Sequence, residues 1–444
     1  MSAPSDLLIV GAGAKATAIA TKVDAINRLG LGPVSVKIFE GTEPAASWLG
    51  RNGMTSGEEP LAVTPIKDIG FPYQSFREFG DAGEALDAAA MESSWQRYMI
   101  SRRRYARWID AGSPSVRHRD YGEYLVWVLG RASEGVEVIR GKVTSAELDG
   151  ERWRVGVEGA GEHVGRGLVL TGPGIHRSFP HEPSVASKIF HCDSVRGDFA
   201  RLPEDRECDV GVVGGGESAL SCVMFLRGFR PRAGCTIYTP MLPMSRGESF
   251  LENRVFSNPD EVEWDALDLG TRRDFVKHSD RGVFDPPSLE RIAYDDTVRF
   301  VVGRVTDVAA AAGDKVRLEY EAPDGATGGE HEFVVNCTGF DLLAQMGELF
   351  SPALREEIEA EVGQPLWGLE RGVEVPIGRN LELRGMAPLL QIPGLAGLSQ
   401  GPGFANLGAL GLLANRVLQP LLPNLSVSPE RNLSTVRNKS LLFD

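Results

Sequence analysis

The chain has 444 residues, 42% hydrophobic and 24% charged, with a formal net charge of −14. That length exceeds what one simple core needs and predicts two or three domains. The negative charge excludes a broad nucleic-acid surface, which would have to neutralise phosphates, and it works equally against an anionic membrane surface.

Residues 5–10 lack the basic n-region and cleavage site of a secretory signal, and no run of about 18 apolar residues marks a membrane span. A cytoplasmic location is therefore expected. The five cysteines, Cys192, Cys208, Cys222, Cys235 and Cys337, form no Cys-x-x-Cys pair and read as reduced thiols. The seven histidines are scattered, so no metal site is expected.

Residues 7–10 form a short apolar run that predicts a buried strand. It leads into Gly11-Ala12-Gly13-Ala14-Lys15-Ala16, an Ala-rich helix over about 17–29, and a second strand over 34–39 that ends in Glu40. Gly11 permits the tight turn and Gly13 lets backbone approach a pyrophosphate. Ala16 lets helix and strand pack closely, and the helix N-terminus faces the phosphate charge. Glu40 is placed to accept hydrogen bonds from a ribose diol. A glycine motif alone is weak evidence, but here strand, helix, second strand and acid follow in register.

Between about residues 71 and 124 the chain is rich in aromatics, including Tyr73, Phe79, Trp95, Tyr98, Trp108 and Tyr121. This predicts a helical insertion whose aromatics serve packing. The run Arg102-Arg103-Arg104 reads as a solvated helix face. Residues 167–170 then look like a strand returning to the first sheet and end in Thr171-Gly172. The charged, proline-containing stretch 201–206 reads as a linker.

A second glycine turn, Gly214-Gly215-Gly216-Glu217-Ser218-Ala219, follows a predicted strand over 209–213. A helix over about 218–227 comes next, with Gly228 placed to end it, and then a strand over 235–239. Gly214, Gly216 and Ala219 repeat the spacing of Gly11, Gly13 and Ala16. This unit ends in Tyr238-Thr239, with no acid to repel a 2′-phosphate, and Arg246 lies a few residues on. The first site therefore suits FAD and the second suits NADPH over NADH. Residues 333–336, leading into Cys337-Thr338-Gly339-Phe340, form a second returning strand. The NADPH-binding domain, 205–336, is thus expected to be nested inside an FAD-binding domain made of 1–204 and 337–444.

Several patterns together resemble the flavin-dependent N-hydroxylating monooxygenases of siderophore biosynthesis, and most of all the mycobactin-type lysine N6-hydroxylases. They are Ala46-Ser47-Trp48 with Gly53-Met54; Pro65-Ile66-Lys67-Asp68; Pro243-Met244-Ser245-Arg246 with Ser249-Phe250-Leu251-Glu252-Asn253 and Phe256-Ser257-Asn258-Pro259; Ser279-Asp280-Arg281-Gly282-Val283-Phe284; and Asn336-Cys337-Thr338-Gly339-Phe340. The sequence departs from the family in three places. Leu61-Ala62 stand where Met-Gln is usual. Thr239 replaces a basic residue, and residues 401–408 replace a Ser-Asp-Thr-Leu-Leu-Ser segment.

The resemblance implies an α/β fold of two nested Rossmann-like dinucleotide-binding domains plus a small helical substrate-binding region. It implies N-hydroxylation of the L-lysine side-chain amine by dioxygen, through a flavin C4a-hydroperoxide, with FAD and NADPH as cofactors. Lys67 and Asn253 become the expected catalytic and substrate residues, and Asp280 the partner of the substrate α-ammonium. Trp48, Glu217, Ser218, Arg246, Thr338 and Gly339 join Gly11, Gly13, Ala16, Glu40, Gly214 and Gly216 as expected cofactor contacts.

L-ornithine N5-hydroxylation is the nearest alternative. Another class B flavin monooxygenase, acting on a ketone or sulfur centre, lacks support because no Phe-x-Gly-x-x-x-His-x-x-x-Trp segment is present. A disulfide reductase of similar architecture would need the missing Cys-x-x-Cys. A homo-oligomer is compatible with the sequence.

Overall fold

The computed structural model describes residues 4–51, 55–177, 179–203, 207–245, 249–279, 284–323, 325, 328–369 and 372–425. The first sheet begins with Ser5–Val10 (β1), Val36–Glu40 (β2) and Val136–Arg140 (β3), all parallel. Val143–Leu148 (β4), Trp153–Val157 (β5) and Gly161–Leu170 (β6) form an antiparallel meander. β6 is longer than the four residues expected. Its first half pairs with β5, and its second half runs parallel to β1 at the centre of the sheet. The strand order is β3-β2-β1-β6-β5-β4.

The helix Ala14–Arg28 crosses from β1 to β2 and is buried from Ala14 to Ile26 apart from Lys15. Its small residues allow close approach on all sides, where a wide polar face would demand solvent. Lys22 lies in this interior, 2% exposed, and burial pulls its ammonium down to about 8. Its Nζ donates to Ser75 Oγ at 2.6 Å, with Asp87 3.6 Å away.

Short helices between Phe76 and Leu129 cover this unit. Trp95, Tyr98, Trp108, Tyr121 and Tyr124 are all buried, and Trp95 meets Tyr124 edge-on at 5.4 Å. These aromatics are therefore core, whereas Phe76 of the same insertion is exposed. Arg102, Arg103 and Arg104 are exposed.

A short strand, Ile175–His176 (β7), leads out of the first unit. The second sheet contains Ile189–His191 (β8), Asp209–Val213 (β9), Gly234–Thr239 (β10) and Val298–Val302 (β11). A three-stranded antiparallel sheet follows: Arg304–Ala311 (β12), Lys315–Glu321 (β13) and Gly329–His331 (β14). Phe333–Asn336 (β15) then enters the second sheet, whose order is β11-β10-β9-β15-β8 with every pair parallel. Its edge strand β8 is drawn from upstream of residue 205. Phe340–Asp341 (β16) pairs antiparallel with β7, and Leu390–Gln391 (β17) returns beside β6.

The helix Glu217–Phe229 runs through Gly228, which was expected to end it. Gly228 does not adopt the left-handed conformation of a helix terminator; the helix is capped by Arg230 instead. The antiparallel sheet is pinned to the parallel one by a relay centred on the buried His331. His331 Nε2 bonds Tyr238 Oη at 2.7 Å, and His331 Nδ1 bonds Asp209 Oδ2 at 2.7 Å.

Candidate active site

The first glycine turn is built by β1, β2 and the segment after β6. Gly11 has φ +93°, and a Cβ there would lie 2.8 Å from Thr171 Oγ1, so glycine is required on both counts. Gly11 N donates to Phe39 O at 2.8 Å, and Thr171 Oγ1 donates to Val10 O at 2.7 Å. Gly13 differs. It caps the helix Ala14–Arg28 in extended backbone, no side chain caps that terminus, and a Cβ there would meet no protein atom within 4 Å. The helix terminus therefore opens on space that a phosphate could enter, with backbone N–H groups turned towards it. Ala16 is fully buried.

Glu40 reaches back over this turn. Its Oε2 accepts from Ala12 N at 2.9 Å and its Oε1 from Thr42 N at 2.9 Å. Lys15, whose role is not evident from sequence, donates its Nζ to Thr171 O at 3.3 Å and to Ala405 O at 3.1 Å. It ties the residue 401–408 segment to the turn. Its position inside the glycine motif was the available signal. Trp48 packs edge-on against His118 and Tyr121, at 5.1 and 5.4 Å.

The second turn repeats the design with one difference. Gly214 has φ +144°, and its backbone presses on Cys337, whose O would lie 2.2 Å from a Cβ. Gly216 caps the helix that opens with Glu217 and Ser218, and Ala219 is fully buried. Where Glu40 faces the first turn, the neutral Thr239 packs under Gly215. Thr338 and Gly339 stand at the crossing between the sheets. Thr338 Oγ1 donates to Asn336 Oδ1 at 2.7 Å, and Gly339 O accepts from Arg177 N at 2.9 Å. Arg246 and Asp280 lie outside the described residues. Their described flanks adjoin, with Phe284 N donating to Met244 O at 2.9 Å.

Lys67 and Asn253, 186 residues apart, meet directly: Lys67 Nζ donates to Asn253 Oδ1 at 2.9 Å. The Lys67 ammonium also lies 5.5 Å from the Phe71 ring centre. Its loop is held by the neighbouring Asp68, which is 3% exposed. The Asp68 carboxylate accepts from Tyr73 Oη at 2.7 Å, Trp95 N at 2.9 Å and Gly70 N at 3.1 Å. Burial nevertheless raises its pKa to about 6. Asn253 projects from the helix Phe250–Ser257, whose start is fixed by a capping box between Ser249 and Glu252.

No protein-family model matches the chain. Among curated proteins, it is 36% identical over 422 residues to L-lysine N6-monooxygenase MbtG of Mycolicibacterium paratuberculosis, covering 93% of this chain and 95% of that one. Among solved structures, it resembles lysine monooxygenase NbtG from Nocardia farcinica, with TM-score 0.79, 33% identity, and 93% and 99% of the two chains covered. The ornithine N-hydroxylase KtzI of Kutzneria sp. 744 shares the fold at TM-score 0.74 and 16% identity, over 96% of this chain and 100% of that one. With relatives above 30% identity over nearly its whole length, the chain belongs to the L-lysine N6-monooxygenase family of flavin-dependent N-hydroxylating monooxygenases.

Proposed function

We propose that this chain N-hydroxylates the side-chain amine of L-lysine, using FAD, NADPH and dioxygen, and so makes the N6-hydroxylysine of a hydroxamate siderophore. The contact between Lys67 and Asn253 carries the reading for the site. It joins the two residues expected to hold the amino-acid end of the substrate, each brought by a different part of the chain.

In this reading the two sheets are nested Rossmann-like domains, 1–204 with 337–444 for FAD and 205–336 for NADPH. Gly11, Gly13 and Ala16 cradle the FAD pyrophosphate, and Glu40 takes the ribose diol. The open space at Gly13 supports that fit. Gly214, Gly216 and Ser218 would hold NADPH, and the uncharged Thr239 tolerates its 2′-phosphate. Bound FAD, reduced by NADPH, supplies the activated oxygen.

The chain's own residues have other tasks. The amine must arrive neutral, since an ammonium has no lone pair to attack with, and its free pKa is about 10.4. Burial of that amine away from water disfavours its charged form and so favours the neutral amine. Lys67 offers a charge-assisted hydrogen bond to the substrate carboxylate, while Asn253 fixes the Lys67 ammonium. Holding that end sets where the side-chain nitrogen lies, which is a positional contribution to rate.

The test is product analysis by mass spectrometry with L-lysine and L-ornithine side by side, in the presence of FAD and NADPH. One added oxygen on lysine is expected. Hydroxylated ornithine with untouched lysine overturns the substrate assignment.

A further inference from the structure

A chain of ion pairs, partly buried, starts on the helix that carries Asn253. Arg254 on that helix pairs with Glu261, and Glu261 pairs with Arg77 at 2.5 Å. The adjacent Asp260 pairs with Arg416 at 2.5 Å and with Arg379 at 3.1 Å. Arg379 also reaches Glu78 at 3.1 Å. The side chains of Arg416, Glu78 and Arg77 are only 1%, 3% and 8% exposed.

These partners come from three places. Arg77 and Glu78 sit on the helix Phe76–Phe79, Arg379 on a loop, and Arg416 on the helix Leu410–Leu418. The last of these packs against Ala14–Arg28, the helix of the first glycine turn. Arg416 is further fixed by Gln400 Oε1 at 3.2 Å and by the Phe404 ring 4.6 Å beneath it. The loop of Lys67 is rooted in the same unit through Asp68.

Buried ion pairs are a poor source of net stability, because desolvation offsets most of the attraction. Their value lies in geometry: a carboxylate held by two guanidinium groups has one low-energy position. Asp260 and Glu261 are the two acids at the C-terminal end of the Asn253 segment, and both are clamped to the unit that holds Lys67.

We infer that Asp260 and Glu261, with Arg77, Arg379 and Arg416, are positioning residues that hold Asn253 against Lys67 and so set the affinity for the amino-acid substrate. This rests on Lys67 and Asn253 being the amino-acid end of the site.

The experiment compares Glu261→Gln, Arg379→Gln, Asn253→Ala and the double variant Glu261→Gln/Asn253→Ala, each as the FAD-loaded full chain. The readouts are KM and kcat for L-lysine, NADPH oxidation without amine, and Tm. Arg379 is 51% exposed, so Arg379→Gln, alone and combined with Asn253→Ala, keeps the test intact if Glu261→Gln does not fold.

Either single network variant is expected to raise KM about tenfold while kcat changes less than about twofold, with amine-independent NADPH oxidation unchanged. In the Asn253→Ala background the Glu261→Gln effect on KM should shrink to less than about twofold, because the residue acts through Asn253. An unchanged KM in the network variants, or an equal KM effect of Glu261→Gln with and without Asn253, overturns the inference. If Asn253→Ala itself leaves KM unchanged, the site assignment fails instead, which separates the two.

Discussion

Replacing Gly13 by alanine or valine should weaken flavin binding while leaving the fold intact. The backbone at Gly13 is extended, φ −86° and ψ −165°, which any residue adopts, and a Cβ there meets nothing within 4 Å. Loss of glycine at a helix N-cap costs about 1 kcal/mol at most, a Tm change of about 2–4 °C in a domain of this size. The added methyl would occupy the space through which a pyrophosphate reaches the helix terminus. Displacing the phosphate costs charge-assisted hydrogen bonds worth about 1.5–3 kcal/mol each, so binding should weaken at least about tenfold.

Flavin titration of the apoprotein by fluorescence measures the affinity, and thermal unfolding of the same apoprotein measures the fold. Gly11→Ala supplies the opposite signature. Its positive φ and the 2.8 Å approach to Thr171 predict a loss of about 1–3 kcal/mol in the apoprotein itself. A Gly13→Val protein that binds FAD within about twofold of the wild type would refute the assignment of this turn to the cofactor.

Lys67→Met should raise KM for L-lysine at least about tenfold while amine-independent NADPH oxidation persists, as steady-state kinetics will show; an unchanged KM removes Lys67 from the site. Asp68 has a folded-state pKa of about 6, above its unfolded value, so the folded protein binds the extra proton between about pH 4 and 6 and is stabilised on the acid side. The wild type should therefore lose stability relative to Asp68→Asn as pH rises through that window, by on the order of 2–3 kcal/mol; denaturant titrations at pH 4.5 and 7 that give the same difference contradict this. Tyr238→Phe strips the buried His331 of one partner and should cost about 1–3 kcal/mol, seen as a drop of several degrees in Tm with kcat unaltered.

Both glycine turns were legible in the sequence because each is a local device. Strand, turn and helix lie within about twenty residues, and the positive φ at Gly11 and Gly214 is a local demand for glycine, although the atoms that crowd them, Thr171 Oγ1 and Cys337 O, return from far along the chain. The contrast between Glu40 and Thr239 was legible for the same reason. Each closes the second strand of its own unit, next to the turn it faces.

What depended on distant partners was not legible. Gly228 resembles a helix terminator in sequence, yet the helix continues through it to Phe229. The strand Ile189–His191 is too short to announce itself, and only pairing with Phe333–Asn336 makes it the edge of the second sheet. Motif resemblance brought out Lys67 and Asn253 separately. Their 2.9 Å contact spans 186 residues, and the acids that clamp the Asn253 segment find their arginines up to 184 residues away. A linear pattern records what each residue is, and the turns needed little more than that. The pairing of buried charges is decided by which surfaces the folded units press together, so the meeting of Lys67 with Asn253 exists only in the tertiary structure.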